Sequence, residues 1–471
     1  MKRISPLYCG GSFIETPDTF DVVNSCDQSL VGTSCQAGPK ELEQAIAAAY
    51  AAEPVLKASG AYERSEWLRE IAAGLVKDKN NIALLLSREA CKPIRLALTE
   101  VDRAAEVFRI AAEETKRIPG EVLSIDWTPA GKGKQGLVKY FPVGLVAGIS
   151  PFNFPLNLTA HKIAPAIAAS CPIILKPATR TPLTTLKLAE IIDASGLPKG
   201  SVSIMPMDRV TGNLLVTDER FRLLSFTGSP AVGWKMKSDA GKKKVVLELG
   251  GNAGVIVTAS CDLANAVQRC VAGGFSYAGQ VCIHTQRIYV ESAIFDEFLS
   301  RFIMAVKNLR KGNPDDPDTE ISAMIDEANA IRVEQWVKEA TASGAEVLCG
   351  GHRTGAFMEP TVITGTDFSM SVCSREIFGP VVTIERYSSF EQAVDWVNNS
   401  EFGLQAGIFT NNISEMDEAF SRIEAGGIII NDVPTFRVDH MPYGGVKNSG
   451  LGREGVRYAM LEMMEPRLLV R

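Results

Sequence analysis

The chain has 471 residues, 46% of them hydrophobic, with 49 basic and 55 acidic side chains and a formal net charge of −6. That is enough chain for two or three cores, too apolar for long disorder, and its acidic balance excludes a nucleic-acid partner. No apolar run of about 18 residues and no leader-like stretch follows Met1-Lys2-Arg3, so neither a membrane span nor secretion is expected. Ten cysteines without CxxC spacing, and four histidines outside any ligand pattern, predict reduced thiols, a cytoplasmic location and no metal.

Taken in order, residues 1–35 read as short extended pieces with turns, an arm lying on a larger body. From Pro39 the spacing becomes helical, because Leu42, Ala45, Ile46 and Ala49 share one face. Helical patterns continue near 62–77, 80–90 and 94–117. Runs 121–127 and 136–141 read as a long-looped hairpin whose edge calls for a partner, usually another subunit, and the apolar run 467–470 is a second edge strand. Together they predict a homodimer or homotetramer.

Between 143 and 247 the strand-like runs 144–149, 173–175, 202–205, 223–226 and 245–247 alternate with helical segments near 157–169, 182–195, 208–217 and 230–240. This alternation implies a doubly wound parallel sheet, which binds nucleotides at the C-terminal ends of its strands. A second set follows, with strands near 254–257, 286–290, 380–386 and 405–409 and helices near 262–274, 292–307, 327–342, 389–397 and 414–424. The predicted fold class is α/β, two doubly wound parallel-sheet domains with a small β oligomerisation element.

Two stretches carry candidate chemistry, Gly279-Gln280-Val281-Cys282 and Leu247-Glu248-Leu249-Gly250-Gly251. A thiol attacks as its thiolate and a carboxylate takes a proton from a thiol or a water, so Cys282 and Glu248 suggest covalent catalysis. Read alone, a cysteine such as Cys282 is more often a buried, inert thiol, and it is the surrounding sequence that favours catalysis. Phe226-Thr227-Gly228-Ser229 leads from a strand into a helix, where backbone N–H groups can receive a pyrophosphate, although a plain turn is spelled the same way. Lys176 ends another strand, either facing a ligand or solvated.

These stretches occur in one order with Pro151-Phe152-Asn153-Phe154-Pro155, Lys176-Pro177-Ala178, Glu376-Ile377-Phe378-Gly379-Pro380 and Pro442-Tyr443-Gly444-Gly445-Val446-Lys447. So ordered, the chain resembles the aldehyde dehydrogenase superfamily from about residue 6 to its end. The resemblance implies that Cys282 attacks an aldehyde to give a thiohemiacetal, whose oxyanion is held by the Asn153 amide and the Cys282 N–H. Hydride then passes to a nicotinamide, and Glu248 activates water to hydrolyse the thioester.

It further implies cofactor contacts from Pro151, Phe152, Lys176, Thr179, Gly228, Ser229, Glu376 and Phe378. Thr179 stands where NAD-selective relatives often carry glutamate, and a neutral residue there, with Lys176 and Arg180 nearby, admits NADP as well as NAD. Domain ranges follow: 1–118 and 140–247 for cofactor binding, 248–430 for catalysis, 119–139 and 453–471 for oligomerisation, and 431–452 as a return segment carrying a substrate-site loop.

Segments 157–162 and 437–443 are similar to branches acting on lactaldehyde, on glyceraldehyde 3-phosphate without phosphorylation, and on phosphonoacetaldehyde. The expected partner is thus a small, polar, possibly anionic aldehyde, with Arg103, His161 and Arg437 as candidate positive charge around its tail. Each has a plainer alternative, a helix-surface pair for Arg103, a satisfied helix residue for His161 and a loop anchor for Arg437. The resemblance assigns His284 no catalytic role. Branches that acylate coenzyme A tend to lack the glutamate found here as Glu248, which favours hydrolysis, and a non-catalytic protein would have no reason to carry Cys282, Glu248 and Asn153 together.

Overall fold

In the computed structural model, which describes residues 4–471, the five apolar runs between 143 and 248 form one parallel ladder. Lys244–Glu248, Leu223–Thr227, Val146–Ile149, Ile173–Lys176 and Val202–Ile204 lie side by side in that order. Nearly all their residues are buried, as expected of a sheet with crossover helices on both faces. Chain order reverses between Val146–Ile149 and Leu223–Thr227, and a crevice opens at such a switch point. The loops leaving those two strands carry Pro151 to Asn153 and Gly228 to Ser229.

Antiparallel strands flank the ladder. The hairpin of Leu7–Cys9 and Ser12–Ile14 adds one edge through Tyr8 and Ile204. Gly450–Leu451 adds the other, pairing with Glu248 and Leu247, so the return segment is bonded directly to the strand that ends in Glu248.

The second sheet has seven strands rather than the four read from sequence. Thr361–Thr364, Val381–Tyr387, Thr285–Glu291, Ala253–Val257, Gln405–Phe409 and Gly427–Ile430 are parallel, and Glu346–Cys349 is antiparallel at one edge. The three strands that sequence reading passed over are only four residues each.

The third sheet corrects one expectation. Gln135–Pro142 pairs with Gly120–Ser124 on one side and, over seven registered positions from Met464 to Val470, with the C-terminal strand on the other. The hairpin's partner on that side is thus the chain's own C-terminus rather than another subunit. The outer edges that remain are Gly120–Ser124 and Met464–Val470, where Val122, Leu468 and Leu469 are exposed.

The reading of every cysteine as reduced is also corrected. Cys26 and Cys91 form a disulfide across 65 residues, their Cα atoms 6.5 Å apart, and the other eight cysteines are free. Cys91 caps Lys79–Ala90 in the left-handed conformation. The packing of that helix brings the two sulfurs together, and no local spacing announces it.

In the N-terminal helical layer, Ile94–Glu114 packs against Ala61–Lys77 and Asn157–Ala168. Its buried face holds Ala97, Val101, Ala104, Ala105 and Phe108, and among them lies a carboxylate, Glu100.

Candidate active site

The loop that carries Cys282 begins where a helix is stopped. Leu263–Phe275 starts with the Asp262 carboxylate accepting from the Asn265 N–H at 3.1 Å. It ends in Tyr277, Ala278 and Gly279, all left-handed, with φ of 51°, 51° and 68°. Only glycine adopts that region freely, and a Cβ at Gly279 would also run into the Gly379 carbonyl. Gly251 permits a second close approach, since a Cβ there would strike the Cys282 carbonyl oxygen. The turn delivers Cys282, half-buried, onto the wall of a cavity of about 410 Å³ shared with Glu248, Tyr443, Arg437, Arg103 and Lys92.

Glu248 is buried, and neither carboxylate oxygen has a hydrogen-bond partner among the described residues. Burial and the neighbouring Glu454 charge hold its pKa well above the carboxylate range, with Arg437 and Lys162 opposing. Burial pushes Glu454 upward too, but Lys162 and Arg437 outweigh it and hold that carboxyl at about 2. The two adjacent carboxyls are thereby pushed in opposite directions, the separation that lets neighbouring acids take different roles. Lys162 donates to Ser225 Oγ at 3.0 Å, Thr227 Oγ1 at 2.8 Å and Glu454 at 3.4 Å, fixing the charge behind Glu248.

Cys282 Sγ lies 3.0 Å from Tyr443 Oη. Burial pushes the thiol up to about 12, and the Tyr443 hydrogen bond and the Arg437 charge pull it back. Asn153 reaches the same loop, with its Nδ2 donating to the Gln280 carbonyl at 2.9 Å and one amide N–H left over. The Asn153 carbonyl accepts from Lys92 Nζ at 2.6 Å. Lys92 is ion-paired with Glu100 and sits 3.9 Å over the Phe154 ring and 4.3 Å over that of Tyr277. The other Glu100 oxygen accepts the N–H groups of Leu156 and Asn157 at 3.0 and 3.2 Å, where Asn157–Ala168 starts.

The three candidate tail-binding residues are treated differently. Arg103 is on the wall, doubly bonded through Nε and Nη2 to Asp439 at 3.1 and 2.7 Å. Arg437 is on the wall and buried, its Nη2 donating to Glu454 at 3.2 Å and its guanidinium 3.7 Å over the Tyr443 ring. Its Nε is a buried donor without a partner among the described residues. His161 lies behind the wall with Nε2 2.8 Å from Asp439, and burial and Arg437 lower its pKa. It therefore does not present positive charge to the cavity, and its Nε2 also lies 3.5 Å from Nη2 of the wall residue Arg437. His284 is likewise turned away, toward the Gly274 carbonyl at 2.8 Å, with burial holding it at about 4.

The expected cofactor residues stand at the C-terminal ends of the first sheet's strands and on the facing loops. Phe152 and Phe378 meet edge to face with ring centroids 5.9 Å apart, and Phe378 is left-handed with φ 45°. Glu376 accepts the Gly251 N–H at 2.9 Å through Oε1, and burial raises it to about 7. Pro151 directly follows Ser150 at the end of the Val146–Ile149 strand. Lys176 ends its strand half-buried, donates to the Pro177 carbonyl at 3.3 Å and has its pKa lowered by burial. Gly228 donates its N–H to the Glu248 carbonyl at 3.0 Å, and Ser229 opens Pro230–Asp239 without a side-chain cap. Thr179 is exposed, beside Arg180, which faces Asp326 at 3.4 Å. A half-buried lysine at a strand end and an uncapped helix N-terminus at a switch point suit a dinucleotide.

Sequence reading assigned no role to Tyr443, Lys92, Glu100, Lys162, Asp439 or Glu454. Tyr443 stood in plain sight within a quoted motif. Glu100 had a weaker signal, a charge interrupting an apolar helix face.

The aldehyde dehydrogenase family model matches residues 13–469. A 3-sulfolactaldehyde dehydrogenase of Priestia aryabhattai is 42% identical over 98% of this chain and 97% of its own length. The crystal structure of aldehyde dehydrogenase 21 from Physcomitrella patens, in complex with the reaction product succinate, superposes with a TM-score of 0.99 at 47% identity, covering 100% of this chain and 98% of that one. The glyceraldehyde-3-phosphate dehydrogenase GapN of Methanocaldococcus jannaschii, complexed with NADP, superposes with a TM-score of 0.93 at 37% identity, covering 97% of this chain and 100% of that one.

Proposed function

The chain belongs to the aldehyde dehydrogenase family, and we propose that it oxidises a small anionic aldehyde to its carboxylic acid, using NAD or NADP and covalent catalysis at Cys282. The observation carrying this reading is that Cys282 and Glu248 share one cavity wall while both Glu248 oxygens stay unpartnered among the described residues. A carboxylate with nothing to bond is available to a thiol proton or a water.

The Cys282 thiolate attacks the aldehyde carbon, and the oxyanion that forms accepts from the spare Asn153 amide N–H and the Cys282 N–H. When bound, the nicotinamide accepts the hydride that leaves this carbon. Glu248 then takes a proton from the water that attacks the thioester, and the C–S electron pair returns to sulfur as the acid departs. Glu248 must be ionised for that step, so deacylation speeds up as pH rises through its elevated pKa. Hydrolysis rather than transfer to coenzyme A follows from having this base in place.

Lys176, Glu376 and the Pro230–Asp239 N-terminus would hold the dinucleotide, with Phe152 and Phe378 bordering it. Neutral Thr179 offers no charge to repel a 2′-phosphate, which supports use of NADP alongside NAD.

The anionic character of the substrate is supported by Arg437, whose Nε has no acceptor among the described residues, and by Arg103, whose carboxylate partner Asp439 lies off the cavity wall. The sulfonate, carboxylate and phosphate named for three of the similar proteins are anions, while other relatives are named for the neutral lactaldehyde. We assign cofactor binding to the first sheet with its helices, catalysis to the second, and self-association to the exposed edges of the third. We also keep the cytoplasmic location, which the eight free cysteines support and the Cys26–Cys91 disulfide opposes.

The test is reduced-cofactor formation with NAD and NADP across 3-sulfolactaldehyde, succinate semialdehyde, glyceraldehyde 3-phosphate, phosphonoacetaldehyde, lactaldehyde and neutral aliphatic aldehydes. An anionic aldehyde should lead in kcat/KM by about tenfold or more, equivalent to roughly 1.4 kcal/mol. Arg437→Ala should remove that lead, and a wild-type preference for neutral aldehydes would refute it.

A further inference from the structure

The Tyr443 hydroxyl is aimed at the candidate nucleophile. Its Oη lies 3.0 Å from Cys282 Sγ, and both residues line the same cavity. The side chain is held from behind, because Tyr443 pairs with Glu454 through two backbone hydrogen bonds of 3.0 and 2.6 Å, and the Arg437 guanidinium covers its ring at 3.7 Å. The ring is buried, so this geometry is pre-set rather than reached by a swinging side chain.

Only one direction of donation is open when the sulfur reacts. A thiolate has no hydrogen to give, while the phenol keeps its own, its pKa raised well above the ordinary value by burial and by Cys282. We infer that Tyr443 is a catalytic residue that donates its phenolic hydrogen bond to the Cys282 thiolate, both before attack and as the sulfur is expelled from the thioester. This rests on the proposed role of Cys282.

The balance is simple. In activation the S–H bond breaks, the electron pair stays on sulfur, the proton passes to Glu248 and from there to solvent before the deacylating water arrives, and Tyr443 O–H turns its hydrogen to the new anion. In deacylation the C–S pair returns to the same sulfur and meets the same donor. Between them sulfur is a neutral thioether or thioester and a poorer acceptor, so the interaction strengthens where charge sits on sulfur. A phenylalanine at this position would fill the same space without it.

The experiment compares the chain with its Tyr443→Phe variant, which loses one oxygen and keeps the ring on which Arg437 stacks. Alkylation of Cys282 by iodoacetamide is followed against pH and resolved by mass on the Cys282 peptide, since seven other thiols are free. A charge-assisted hydrogen bond is worth about one to two pH units of thiolate stability. The variant's midpoint should therefore rise by about that much, with alkylation below the midpoint slowed about tenfold or more. An unchanged midpoint and rate in a variant of unchanged melting temperature would overturn the assignment. No aldehyde or cofactor enters the assay, so a shifted midpoint in a protein that oxidises no aldehyde would sink the proposed function and leave only the Tyr443 hydrogen bond to the thiolate standing, while turnover with an unshifted midpoint would sink that hydrogen bond and leave the proposed function standing.

Discussion

The Lys92 ammonium donates to the main-chain carbonyl of Asn153 at 2.6 Å, while its ion-pair partner Glu100 holds the N–H groups that follow at Leu156 and Asn157. One buried pair therefore grips both ends of the turn that presents the Asn153 amide. Removing one member strands the other charge without a partner.

Lys92→Met should cost about 3–5 kcal/mol in urea denaturation. The double variant Lys92→Met with Glu100→Leu should recover most of that stability but not kcat, because the Asn153 turn stays ungripped. Displacing a catalytic group by about 1 Å can cost on the order of a hundredfold. Recovery of kcat together with stability would show that the pair serves the fold alone.

Asp439 joins Arg103 to His161. Burial would raise its pKa, but those two partners hold it well below the ordinary 3.8. A depressed carboxylate stabilises the fold above its unfolded pKa and loses that contribution as pH falls through its folded one. Asp439→Asn should thus be less stable than the parent at pH 7, by about 3 kcal/mol. The gap should narrow below pH 4, and denaturation midpoints at several pH values measure it. A gap independent of pH would mean that shape rather than charge accounts for the loss.

For Glu248 the sign is opposite. Its folded pKa lies above the unfolded 4.5, so its contribution is complete below that value and fades as pH rises through the folded pKa. Glu248→Gln, which does not ionise, should melt progressively higher than the parent as pH is raised from about 5 to 9. Parallel melting curves across that range would contradict the elevated pKa.

Much of this was legible in the sequence because buried parallel strands leave continuous apolar runs. Leu223–Thr227 and Lys244–Glu248 were read within a residue of their ends, and with the strand order they set Gly228 and Glu248 at one crevice. Glu346–Cys349 and Gly427–Ile430 were passed over because four partly exposed residues carry too little periodicity. Charge was harder to read than apolarity. Lys92, Glu100 and Lys162 look like surface residues until the packing encloses them, and His161 looked like a cation until Asp439 and burial claimed it. The Cys26–Cys91 disulfide depends on a tertiary approach across 65 residues that leaves no local mark.

The central claim is that Cys282 carries the acyl group and Glu248 releases it. Rapid mixing of Glu248→Gln with saturating cofactor and aldehyde, with the Cys282 peptide weighed after quenching, tests it most directly. The account predicts a burst of one reduced cofactor per site and an acyl mass on Cys282, followed by turnover slowed about a hundredfold to ten-thousandfold, the usual worth of a general base. Undiminished steady-state turnover, or the absence of both the burst and the adduct on Cys282, would contradict it.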